Sequence, residues 1–394
     1  MSEQFGRDLR AFLKGLMFTE SGSAEMAGIS SAMTSLTPAA AATVQARLAG
    51  AVSSRAGAAV AGGIPDLTQT TMLPNSAARL PRGHLVLGAQ ASNSAYRLDP
   101  ESGEIEVLFQ LSNTLAFLWR VIPTKSGLLY ASLSGTRPPG GGNLQWGLRG
   151  IVFSIDLVRE TIAPVPGFER LIDPVDITVL SDGKLLIVDF MGFNGTGAVY
   201  ILDPSTGDTQ KLDLGNALHD PNCAYLDDDG VLLIANPWQN YQNRRGADGL
   251  PLKDYGNVIM VEPGTNKIET LYDNSPNPKG AIVGVTGSRD KKYAIIVRTD
   301  WPVLSSSAIL RLDRSTKQVV PLIEASDSSR RFFSPRCEVI GDLLYAADSY
   351  QRELLAIDIA TGKIAKTYDL RAIIPGGTGI VASTQSVESV AAVP

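Results

Sequence analysis

The sequence predicts an all-β chain made of six copies of one unit. Three observations carry that expectation: a repeated phrase, its spacing, and a missing strand that the far end of the chain can supply. The phrase is an apolar alternating run that ends on an acid and passes into turn residues. It occurs at Arg97-Leu98-Asp99-Pro100, Ser154-Ile155-Asp156, Ile201-Leu202-Asp203-Pro204, Met260-Val261-Glu262-Pro263, Arg311-Leu312-Asp313 and Ala356-Ile357-Asp358. The acids are 57, 47, 59, 51 and 45 residues apart. Short strands recurring at a period of about 50 residues point to a β-propeller, one four-stranded blade per repeat.

The blades can be laid over one another in order. The third reads Asp176 to Gly183 as innermost strand and turn, then Lys184 to Asp189 as second strand. The fourth repeats this as Cys223 to Gly230 and Val231 to Asn236, the second as Trp119 to Gly127 and Leu128 to Ser132. The sixth gives Cys337 to Asp342 and Leu343 to Asp348; the fifth, Ile282 to Arg298, is longer at its turn. The first blade opens directly on a second strand, Gly83-His84-Leu85-Val86-Leu87, with no innermost strand before it. The last segment, Ser389-Val390-Ala391-Ala392-Val393-Pro394, supplies the missing piece. Placed before Arg82-Gly83-His84-Leu85, it matches Asp176 to Leu185 without a gap. The expected fold is therefore a six-bladed propeller whose first blade is closed by the C-terminal strand, which removes the unpaired edges of an open ring.

Residues 76–394 are assigned to that propeller and residues 1–75 to an α-helical N-terminal extension. Phe5, Leu9, Phe12, Leu13 and Leu16 form the stripe of an amphipathic helix, with Ser2 placed to cap it. Thr37-Pro38 reads as a cap and first helical position for an Ala-rich helix running to about Val60, and Gly62-Gly63-Ile64-Pro65 breaks it. Packing on the propeller is one role for the extension; joining two copies as a homodimer is another.

Composition narrows the function classes. The formal net charge is −5, so no basic surface calls for nucleic acid. Two cysteines cannot make a disulfide framework, and two histidines cannot make a His-cluster zinc site. No apolar run reaches the ~20 residues of a membrane-spanning helix. Met1-Ser2-Glu3-Gln4 lacks the basic start and apolar core of a secretory signal, so the expected location is cytoplasmic. No Walker loop, dinucleotide fingerprint or nucleophile elbow appears, and neither a nucleotide nor a flavin cofactor is expected.

In a propeller the loops joining second to third strands share one face with those leading into each innermost strand. Here they carry Trp146, Phe193, Trp238, Tyr241, Trp301 and Tyr350, with Trp119 at the start of an innermost strand. An apolar, aromatic cup with a few polar groups at its floor suits a small organic molecule. Counted from the turns, Glu388, Val175 and Asn222 fall in one layer of the innermost strands, with Arg336 nearby. Carboxylate, amide and guanidinium converging on an axis could bind a hard cation such as Ca²⁺ or hold an oxyanion. His219, of the side-chain type whose ordinary pKa is nearest neutrality, falls in a loop expected to face the same cup; as a general base it would be oriented by Asp220 or Asp173.

Over residues 82–394 the chain resembles the six-bladed calcium-dependent phosphotriesterase superfamily, which includes gluconolactonase-like and senescence-marker-protein-like lactonases and strictosidine-synthase-like proteins. The likeness rests on blade count, the closing strand and phrases such as Asp182-Gly183-Lys184-Leu185-Leu186-Ile187-Val188-Asp189. It implies that Glu388 and Asn222 match the lactonase residues that hold a divalent cation on the axis. Asn222 is followed here by Cys223-Ala224 where the lactonases carry Gly-Leu, and no clear third Asp follows in blade five. The strictosidine-synthase branch implies instead a metal-free acidic side chain in a hydrophobic cup. The expected function is hydrolysis of a small, partly apolar lactone or ester assisted by a divalent cation. The alternatives are a metal-free acid–base cyclase or condensing enzyme and a non-catalytic binding scaffold.

Overall fold

The computed structural model describes residues 70–72, 80–90, 92–111, 117–134, 150–190, 197–218, 221–237, 256–265, 267–274, 280–299, 305–374 and 387–394. These form six antiparallel sheets arranged as the blades of a propeller. From the axis outward, blade two is Phe117–Pro123, Leu128–Ser134, Ile151–Asp156 and Thr161–Pro164; blade three is Pro174–Val179, Leu185–Asp189, Ala198–Leu202 and Thr209–Lys211. Blade four runs Cys223–Leu226, Leu232–Asn236, Asn257–Val261 and Ile268–Asp273; blade five runs Ala281–Gly287, Tyr293–Thr299, Ala308–Asp313 and Val319–Glu324. Blade six is Glu338–Ile340, Leu343–Asp348, Glu353–Asp358 and Ile364–Asp369. Blade one begins on the C-terminal strand Val387–Ala392, continues through Leu85–Ala89, Ser94–Leu98 and Ile105–Leu111, and ends on Thr70–Met72.

The closing strand sits in the register the sequence predicts. Leu85 faces Ala392 as Leu185 faces Val179 in blade three. The turn is reproduced across the chain ends. Gly83 N donates to Val393 O (3.1 Å) and Val393 N to His84 O (2.8 Å), as Gly183 N donates to Leu180 O and Leu180 N to Lys184 O. Gly83 and Gly183 share a left-handed backbone, φ 86° and 85°, which glycine adopts without a Cβ penalty.

The repeated acid has a local cause. In every blade but the fourth, an Asp side chain at the end of the third strand accepts hydrogen bonds from the turn that follows it. In blade four Glu262 stands there and accepts from Lys267 Nζ. Asp99 takes Glu101 N and Ser102 Oγ, Asp203 takes Ser205 N and Oγ, Asp313 takes Ser315 N and Thr316 N, and Asp358 takes Thr361 N and Oγ1. A carboxylate so placed substitutes for a backbone partner and sets the turn to the outer strand. The repeat read from the sequence is therefore the signature of one turn.

The core lies between blades. Val86, Leu129, Ile177 and Leu185 belong to one cluster that joins blades one to three, and Leu85, Leu87, Val387 and Val390 pack with Tyr345, Ala347 and Leu354 to join blade six to blade one. The closing strand and the Val393 that follows it thus contribute core to both clusters as well as hydrogen bonds.

One expectation is corrected. No α-helix is present among the described residues, whose only helical element is a 3₁₀ turn at Phe168–Arg170. The described part of residues 1–75 is a strand: Thr70, Thr71 and Met72 pair with Leu111, Gln110 and Phe109 as a fifth, outermost strand of blade one. The chain ahead of the propeller thus meets it by sheet pairing, with main-chain groups at an open edge as the partner. The helices expected at 5–16 and 37–60 lie outside the described residues.

Candidate functional site at the propeller axis

Antiparallel pairing brings the start of each innermost strand beside the end of its second strand, at the propeller end from which the connections to the third strands leave. Bulges mark four of these starts. Trp119, Val175, Val283 and Glu388 are each the extra, unpaired residue of the innermost strand, where the register shifts against the second strand. A bulge bends its strand and re-aims the side chains around it. One rung below them, Arg120, Asp176, Gly284 and Ser389 pair with Ser132, Val188, Val297 and Gly88. Arg336 joins this rung through a parallel bridge to Ser389.

Asp176 ties the rung together. Its Oδ1 lies 3.5 Å from Arg120 Nε and 3.5 Å from Arg336 Nε and accepts the Ile177 N–H, while Oδ2 accepts the Ala224 N–H of blade four at 3.0 Å. Arg120 also donates to the carbonyls of Ile177 and Val390, so it links blades three and one. Two guanidiniums share one buried carboxylate, and each has further acceptors.

Arg336 reaches the layer above. Its Nη2 donates to Asn222 O and, at 3.2 Å, to Asn222 Oδ1. The Asn222 amide is oriented by its own Nδ2, which donates to Val283 O at 2.7 Å. Arg336 Nη1 lies 4.0 Å from Glu388 Oε2, and the guanidinium carbon lies 5.7 Å from the Trp119 ring centre. The side chain of Arg336 is 1% exposed and that of Glu388 is 4%. Backbone contacts fix both: Val390 N donates to Arg336 O, and Ser334 Oγ donates to Glu388 O.

Of the residues singled out from the sequence, the structure brings Glu388, Asn222, Arg336 and Trp119 into this one group. Trp119 is 8% exposed, and its Nε1 donates to Ser134 O. Asp173 is fully buried; its N–H donates to Asp189 Oδ1 at 2.7 Å and its carbonyl accepts from Phe190 N. Tyr350 is half-buried in the turn that follows Asp348. His219, Asp220, Trp146, Phe193, Trp238, Tyr241 and Trp301 lie outside the described residues. Arg120 and Asp176 went unread, although Asp176 directly follows Val175 and shares the rung of Arg120. The signal was available by counting one residue further along each innermost strand.

The described residues do not fit a divalent cation between Glu388 and Asn222. The Arg336 guanidinium occupies that position and takes the Asn222 oxygens as its own acceptors. A doubly charged ion about 4 Å from a guanidinium would meet repulsion on the order of 8 kcal/mol at an effective dielectric near 20. No cluster of three or more His, Cys, Asp or Glu suited to a metal occurs among the described residues. The two cysteines are buried free thiols, and burial pushes Cys337 up to about 12; neither is a nucleophile at neutral pH.

No protein-family model matches the chain, and no curated protein matches it significantly. Solved structures do resemble it. A chain of a nidogen/laminin complex superposes with a TM-score of 0.55 at 11% identity, covering 78% of this chain and 97% of that one. TolB from Acinetobacter baumannii gives 0.48 at 16% identity, covering 79% and 67%. The periplasmic gluconolactonase PpgL of Pseudomonas aeruginosa gives 0.46 at 14% identity, covering 80% and 100%. At these identities the likeness is one of fold. The chain is a six-bladed β-propeller.

Proposed function

We propose that the chain is a small-molecule enzyme of lactonase or esterase type that works at the axis on an uncharged, partly apolar ester or lactone. The observation that carries this reading is the meeting of Glu388, Asn222, Arg336 and Trp119 at the loop-bearing end of the innermost strands. Carboxylate, oriented amide and guanidinium beside an indole combine a base, a donor and an apolar wall in one place. Acyl transfer needs those three elements.

Charge balance supports the substrate class. The described axial group sets two guanidiniums, Arg120 and Arg336, against two carboxylates, Asp176 and Glu388, with the Glu338 carboxyl, whose pKa burial pushes up, near Arg120. It offers no surplus charge to an ionic substrate, whereas a neutral carbonyl meets a donor and a carboxylate together. The sequence resemblance to the lactonase superfamily supports the same chemistry.

The test is a pH-stat screen of uncharged lactones and aryl esters with the full chain and with Glu388→Gln. The reading expects turnover of at least one compound and a loss of 100-fold or more in the variant, with an unchanged melting temperature. Full turnover by Glu388→Gln would contradict it.

A further inference from the structure

We infer that Arg336 is the cation of the axial site: its guanidinium takes the place a divalent metal would hold and binds the carbonyl oxygen of the substrate directly. This rests on the ester or lactone reading. Only one nitrogen of the group makes hydrogen bonds among the described residues. Nε faces Asp176 Oδ1 at 3.5 Å, and Nη2 is committed to the two oxygens of Asn222. Nη1 has no hydrogen-bond acceptor among the described residues; Glu388 Oε2, at 4.0 Å, is beyond hydrogen-bonding distance. A charged donor left unmade in an almost fully buried side chain is costly and calls for an acceptor.

Nη1 is an unmade charged donor and Glu388 the carboxylate beside it, so a carbonyl that accepts from Nη1 would have a general base next to it. The carbonyl oxygen accepts from Nη1. A water gives one proton to Glu388 while its oxygen bonds to the carbonyl carbon, and the oxyanion formed rests against the guanidinium. Collapse breaks the carbon–oxygen bond to the leaving alcohol, which recovers the proton from Glu388. Atoms and charge balance without a metal or a co-reactant. Asp176 is the positioning residue, since it holds Arg336 Nε from below and Arg120 beside it.

The same geometry predicts what happens when the guanidinium is removed. Arg336→Ala removes the cation that Asn222 O, Asn222 Oδ1, Glu388 Oε2 and Asp176 Oδ1 now face, oxygens of the kind hard cations take, while Asp176 Oδ1 keeps Ile177 N and Arg120. The experiment is calorimetric titration of CaCl₂ and of MnCl₂ into the full chain, Arg336→Ala, Arg336→Gln, and each variant combined with Glu388→Gln. Circular dichroism checks each fold.

The wild type is expected to show no one-to-one binding. At least one folded Arg336 variant is expected to bind one equivalent at least tenfold more tightly than wild type and to lose it with Glu388→Gln. Glu388-dependent one-to-one binding by the wild type would overturn the inference and needs no variant. Folded Arg336→Ala and Arg336→Gln that both gain no site would overturn it as well. A lactone hydrolysed only with calcium held by Glu388 sinks this inference and spares the hydrolase reading. A metal site created in a chain that hydrolyses no ester sinks the hydrolase reading and the carbonyl contact that rests on it, and leaves standing only the guanidinium's place as the axial cation.

Discussion

Gly83 and Val393, at opposite ends of the propeller sequence, make the backbone hydrogen bond that Gly183 and Leu180 make within a single hairpin. The first blade is thus a hairpin with a break in its turn, held by the ladder and by the core packed against it. Removal of residues 387–394 leaves the Leu85–Ala89 strand unpaired on its axial side and uncovers the apolar layers of blades one and six. The truncated chain should be insoluble or lack a cooperative melt. A truncation that melts like the full chain would refute the closure.

The shared carboxylate of Asp176 should govern stability. With Asp176→Ala two buried guanidiniums lose their common anion and Ala224 N loses its acceptor, at a cost of about 3–5 kcal/mol. Asp176→Asn keeps an acceptor and should cost less. Urea unfolding reads both; equal, small effects would mean that Asp176 does not hold the arginines.

Gly284, on the same rung, is pressed against the Pro335 backbone, and a Cβ there would collide with the Pro335 carbonyl. Backbone cannot swing aside as a side chain can. Gly284→Ala should therefore destabilise by about 1–3 kcal/mol and lower Tm by several degrees. An unchanged Tm would show that blades five and six do not meet so closely.

Two aspartates should titrate with opposite consequences. Burial pushes Asp348 from its ordinary 3.8 up to about 6, against the pull of the Phe332 N–H and of Arg331. The folded state therefore holds its proton longer than the unfolded chain does, and stability falls as pH rises from about 4 to about 6. The contribution is on the order of 2–3 kcal/mol. Asp313 is held down to about 2 by Ser315 and Thr316, so its contribution is present above about pH 4 and lost as pH falls towards 2. Thermal melts across pH should show Asp348→Asn flattening the fall between 4 and 6, and Asp313→Asn flattening the drop below 4. The reverse pattern would contradict both assignments.

The blades were legible because one turn recurs, and its Asp must sit at a fixed distance from the strand it ends. The closing strand was legible because a hairpin cut in its turn keeps both halves of its pattern. The axial group was legible only in part. Counting placed Glu388 and Asn222 in one layer with Arg336 near it, but a bulge adds a residue without a sequence mark. The rung of Arg120 and Asp176 was therefore passed over. That Arg336 would stand between the two expected ligands depends on how far a long side chain reaches, which spacing along the chain does not record. The outermost strand Thr70–Met72 is too short to carry a pattern of its own.

The most direct measurement is anomalous diffraction from crystals of the full chain grown or soaked with MnCl₂. The account predicts guanidinium density between Asn222 and Glu388 and no anomalous peak on the axis. A manganese peak ligated by Glu388 and Asn222, with Arg336 turned away from Asn222, would contradict it.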